Sequence, residues 1–115
     1  MNTIQTLELN ALEHLIRNGL QPDNPPLIDN YIGKAECETD MLTTVTAKRQ
    51  VLKRVFQTLM DTICDTYVAS HWRRLCLDNV HRPLHAIEQL SISSKDKAEV
   101  LKLRYELNTL SRYFL

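Results

Sequence analysis

Glycine is scarce in this chain. Only Gly19 and Gly33 occur, with four prolines, Pro22, Pro25, Pro26 and Pro83, in 115 residues. That is far too few for the many tight turns of a β-rich fold, so helices are favoured before any pattern is read. Two isolated glycines also cannot build a loop that cradles phosphate, and no Ser-His-Asp, Walker or dinucleotide fingerprint is present, so no enzyme and no cofactor are expected. The three cysteines, Cys37, Cys64 and Cys76, are odd in number and lack C-x-x-C spacing. Two of them fall in apolar helical stretches, which suits a reducing cytosol rather than a disulfide scaffold. Net charge is also absent. Lys plus Arg and Asp plus Glu are both 14, so no global field draws in nucleic acid or an anionic membrane, and any electrostatic partner must meet a local patch. No apolar run approaches the roughly 18 residues of a membrane span, and the N-terminus has no basic region followed by an apolar block, so a soluble cytoplasmic protein is expected.

What is present is helical periodicity. The first helix is expected from about Thr3 to Asn18, with Ile4, Leu7, Ala11 and Leu15 on one stripe and Leu12 and Ile16 widening it. Gly19 can take the left-handed position after it, Leu20 can fold back on Leu15 or Ile16, and Pro22 prevents continuation. Asn24 and Pro25 then offer a start for a short helix carrying Leu27, Ile28, Tyr31 and Ile32, which Gly33 ends or bends. A long amphipathic helix follows over about 40–68, capped by Thr39 or Asp40. Its apolar residues recur in pairs every four positions, Val51/Leu52, Val55/Phe56, Leu59/Met60 and Ile63/Cys64. Each step overshoots a turn by about 40°, so the stripe slides around the cylinder and one neighbour cannot cover it. Such a helix is the central one of a bundle, or it lends part of its stripe to another chain.

After Tyr67 the pattern allows either continuation or a new helix beginning at Ser70 and carrying Trp72, Leu75 and Cys76. Pro83 forces a bend near Asn79 to Arg82 and a restart with Leu84, Ile87 and Leu90 inward. Ser93 with Asp96 opens the last helix, whose Val100, Leu103, Leu107, Leu110 and Phe114 keep an a/d spacing that wants a facing helix. No repeat or composition shift marks a second domain. The chain therefore reads as one all-α domain over 1–115, a small bundle of four to five helices around a long central helix.

Several residues invite a chemical reading. Arg74 and His81 match the loose R-x4-6-H spacing of HEPN ribonucleases, small helical bundles that act on RNA phosphates, but Leu75 stands where those enzymes usually carry a polar residue. With eight Arg and four His such a match arises readily by chance. His81, His85 and Glu88 have spacings a metal site can use, yet Pro83 interrupts their face and no fourth ligand is near, so no metal is expected. Lys48, Arg49, Lys53 and Arg54 form a basic block on the polar flank of the long helix. Together with the surplus apolar positions Val51, Val55, Leu59 and Met60 they are the candidate partner-binding surface. Trp72, Arg73, Arg74, His81 and Arg82 form a possible secondary patch, in which Trp72 is either a core anchor or an interface hot spot.

From Gly19 to about Val55 the pattern is a helix ending in Gly19, a polar stretch, Leu27-Ile28 and Tyr31-Ile32, an acidic stretch with Glu36 and Asp40, Leu42, and then Arg49, Leu52 and Val55. This resembles the YmgB/AriR family of small connector proteins, helical dimeric regulators of biofilm formation and stress responses linked to a two-component phosphorelay. The resemblance covers about a third of the chain, needs a one-residue gap before Arg49, and carries no catalytic signature. It implies function by surface rather than by chemistry. The expectation is a non-enzymatic regulator or adaptor that binds another protein and forms a homodimer, a bacterial signalling connector. The alternatives are an immunity, antitoxin or secretion-chaperone protein with one dedicated partner, and a nucleic-acid-binding regulator using the basic patches.

Overall fold

A computed structural model describes residues 3–115 of the chain, with side chains from Leu7 onward. The described residues form six helices: α1 (Thr3–Arg17), α2 (Pro26–Met41), α3 (Val45–Ile63), α4 (Ser70–Asn79), α5 (His81–Gln89) and α6 (Ser94–Phe114). The all-α expectation holds, with one helix more than four to five, because the segment after Ile63 folds as a helix of its own.

α1 ends as its sequence dictates. Gly19 adopts φ +58°, its N–H donates to the carbonyl of Ile16 at 3.1 Å, and the Leu20 N–H reaches back to Leu15 at 3.1 Å, which is the Schellman pattern. The buried face of α1 is not the expected stripe. Ile4 lies outside the residues whose side chains are described; Leu7 is 62% exposed and Ala11 is exposed, while Leu9 and Ile16 are buried and Leu12 and Leu15 pack partly against the core. The helix is rotated because Glu13 belongs on its inner side, where it accepts a hydrogen bond from the Tyr31 hydroxyl at 2.7 Å and pairs with Arg54 at 2.9 Å.

α2 runs straight through Gly33, which neither ends nor bends it into a separate unit. Its inner face continues past Leu27, Ile28, Tyr31 and Ile32 to Ala35, Glu38 and Thr39, and the Thr39 hydroxyl donates back to the Ala35 carbonyl at 2.8 Å instead of capping the next helix. The chain turns extended at Leu42, and Thr44 caps α3 by accepting the Ala47 N–H at 3.1 Å. The far end of the long helix is also earlier than expected. The Asp65 carboxylate accepts the Tyr67 N–H at 3.0 Å and the Arg17 guanidinium at 2.8 Å, closing a side-chain turn after Ile63. Those two bonds hold the Asp65 carboxyl below the usual range. The helix expected over 40–68 is thus the 19-residue α3, about 28 Å long, with Met41 and Leu42 on one side of it and a turn at Tyr67 on the other.

α3 nevertheless occupies the centre, packing against all five other helices. The Cα extents of 37 × 35 × 16 Å describe a slab. Two helix layers 8–10 Å apart, each with a Cα radius of about 2.3 Å, account for that thickness. The core joins Ile16, Tyr31 and Phe56 to Trp72, Leu84 and Ile87, so every helix that feeds it does so onto α3. α5 follows α4 with only Val80 between, and Pro83 stands in its first turn, where a missing N–H removes no helical bond. Ser93 caps α6 by accepting the Asp96 N–H at 3.1 Å. Of the α6 seam, Val100 and Leu107 are buried and Leu103 and Leu110 are half-buried, facing α5 and α3. No described helix is long and apolar enough to cross a membrane.

Candidate functional site

The basic block of α3 is not a free surface. Arg49 is buried and donates to Ser91 Oγ, to the Ile87 carbonyl at 3.5 Å and to Glu99 at 2.5 Å, tying α3 to α5 and α6. Lys53 meets the same Glu99 at 3.3 Å. Arg54 is held by Glu13 and Asn10 of α1. Lys48 makes no ion pair among the described residues and lies in a shallow cleft with Glu36, Asp40 and His85. Val55, Leu59 and Met60 are core residues and Val51 is half-buried against them, so the apolar positions expected at an interface are spent inside the bundle. The reason is the sliding stripe itself, which α1, α2, α4, α5 and α6 cover in turn.

The secondary patch is also dispersed. Trp72 is the core anchor of its two readings, fully buried with its indole N–H on the Ile16 carbonyl at 3.0 Å. Arg73 is an internal clamp, donating to the Ile63 carbonyl at 2.9 Å and the Phe114 carbonyl at 2.8 Å, the C-terminal ends of α3 and α6. Arg82 pairs with Asp29 at 2.7 Å and Glu36 at 3.6 Å. Arg74 and His81 are exposed, on α4 and at the start of α5, with no hydrogen bond between them. Glu88 accepts from Arg104, and the described residues contain no cluster of three His, Cys, Asp or Glu placed to hold a metal. Burial pushes the Cys76 thiol up to about 12, which keeps it protonated near neutral pH, and raises that of Cys64.

The outer side of α6 is exposed and joins untied cations to large apolar side chains. Two of its three acids, Glu99 and Asp96, turn inward toward Arg49, and the third, Glu106, stands one turn after Lys102. Its cations turn outward: Lys95, Lys97, Lys102 and Arg112 make no ion pair among the described residues. Between them stand Leu101 at 68% and Tyr105 at 72% exposure, one turn apart and so neighbours on one line of the helix. Ile92, 79% exposed, precedes the helix, and Tyr113, 82% exposed, packs edge-on against Phe114 at 4.9 Å. Beside Leu101 a cleft of about 470 Å³ opens between α5 and α6, lined by Gln89, Ser91, Lys97 and Val100 among others. In the sequence this face is hidden behind the stronger inward seam of Val100, Leu103 and Leu107. The signal was there, as a second apolar line, Leu101 and Tyr105, on the side opposite Val100 and Leu107.

No family model, no curated protein and no solved structure matches the chain.

Proposed function

We propose that this protein is a non-enzymatic adaptor or regulator that acts by binding another protein through the outer face of α6. The observation that carries the reading is the contrast within one small bundle. Seven of the nine Lys and Arg on α1 to α5, all but Lys48 and Arg74, are tied to a carboxylate or a carbonyl of their own chain, whereas α6 combines four untied cations with large exposed apolar side chains. Exposed apolar residues gathered on one face mark an interaction surface, whereas scattered ones do not. The likeness of residues 19–55 to the YmgB/AriR connectors supports a place in a bacterial signalling or stress pathway. Self-association, the other part of that expectation, loses the residues it was argued from, since Val55, Leu59 and Met60 lie in the core.

Affinity capture from the cells of origin tests the proposal, comparing the intact chain with a Leu101→Glu, Tyr105→Glu double variant. Both side chains are exposed, so helicity and Tm should hold while the captured partner falls at least tenfold. Equal recovery by a folded double variant would refute the α6 face.

A further inference from the structure

We infer that the occupant of the α6 face is an acidic amphipathic helix of a partner protein. The inference rests on the adaptor reading and specifies its partner. At 100° per residue, Leu101 and Tyr105 form the middle line of the outer face, Lys97 and Arg104 fall to one side of it, and Lys95 and Lys102 to the other, with Glu106 behind them. Each flanking pair is seven residues apart, about 10.5 Å along the axis. An apolar line between two rows of cations at heptad spacing is one half of a helix pair; its complement has an apolar seam and carboxylates repeating every seven residues on both flanks. The cleft beside Leu101 has Val100 as its buried floor and gives a large apolar side chain a seat. At its rim Arg104 is held by Glu88, so Lys97, Lys95 and Lys102 are the flanking cations left for a partner's carboxylates.

The same features disfavour other occupants. A second copy would set Lys97 and Lys102 against their own equivalents. A membrane would gain little, since beyond Tyr105 the outer line continues as Asn108 and Arg112. Nucleic acid finds only four untied cations on this face, with Leu101 in their midst, on a chain of zero net charge.

The test places a photoreactive benzoylphenylalanine at Tyr105 and, separately, at the fully exposed Tyr67 in the full-length chain, followed by irradiation in the cells of origin and sequencing of the attached segment. Expected is an adduct at Tyr105 with a peptide of another protein whose acids and apolar residues keep helical spacing, and a yield at least tenfold lower in a Lys97→Glu, Lys102→Glu background but unchanged in Lys48→Glu. A peptide of another protein without that acidic pattern overturns the inference and leaves the adaptor reading standing. A nucleotide, a lipid or a second copy of this chain at Tyr105 overturns the inference. Protein adducts at Tyr67 alone overturn the α6 face, and no protein adduct at either position overturns the adaptor reading along with the inference.

Discussion

At the scale of single residues, the two glycines make opposite predictions. Gly19 sits at φ +58°, and an added Cβ would stand 2.7 Å from Val68 Cγ1, so Gly19→Ala combines left-handed strain with a clash against the α3–α4 turn. The strain alone costs about 1–2 kcal/mol. Gly33 lies inside α2 with nothing within 4 Å of its would-be Cβ, so Gly33→Ala should stabilise by about 0.5–1 kcal/mol through lost freedom of the unfolded chain. Urea unfolding followed by the fluorescence of buried Trp72 reads both; a neutral Gly19→Ala would refute the turn geometry. Glu38 is the odd residue of the core. It is 4% exposed, and neither carboxylate oxygen has a hydrogen-bond partner among the described residues. A buried polar group left unsatisfied costs about 1–3 kcal/mol, so Glu38→Leu should stabilise the fold by about that much and raise the urea midpoint accordingly. A fall instead would mean that the carboxylate serves a partner worth keeping.

At the scale of elements, α6 is the most separable part of the bundle, because it packs mainly on α5 and α3, touches α4 through the Arg73 bond to Phe114, and buries few residues fully. Arg49 fastens it, reaching Ser91 before the helix and Glu99 on it. Arg49→Met keeps the buried stem and removes these bonds, leaving a half-exposed Glu99 without its main partner. Breaking a fully buried pair costs about 3–5 kcal/mol, and the exposure of Glu99 reduces this to about 2 kcal/mol. Hydrogen exchange should show the loss in α6 amides first, with α3 protection falling only by the global change; uniform loss would deny α6 its own opening. Which features of the elements were legible follows from distance along the chain. Gly19, Pro83 and Ser93 act on neighbours within a few residues, and all three ends fall where local chemistry puts them. The start of α3 was not legible, because Thr39, Asp40 and Thr44 all offer a capping oxygen and packing of α2 decides among them. Nor was the fate of the basic block. Arg54 and Arg49 are met by Glu13 and Glu99, 41 and 50 residues away, and such pairings leave no periodic trace in sequence.

At the scale of the whole molecule, a neutral sum hides an uneven distribution. Internal pairing consumes charge across the slab and leaves positive charge on α6 around an apolar line. Two such faces meeting about a twofold axis would bring Lys97, Lys102 and Arg112 near one another while Leu101 and Tyr105 attract. At low salt the repulsion acts over tens of ångströms; near 1 M the screening length drops to about 3 Å and the apolar contact is left unopposed. The isolated protein should therefore scatter light as a 13.4 kDa monomer through tens of micromolar in dilute buffer, with any dimer appearing only as salt is added and vanishing in Leu101→Glu. A dimer that forms at low salt and survives Leu101→Glu would place self-association on another face and remove the electrostatic argument for an acidic partner.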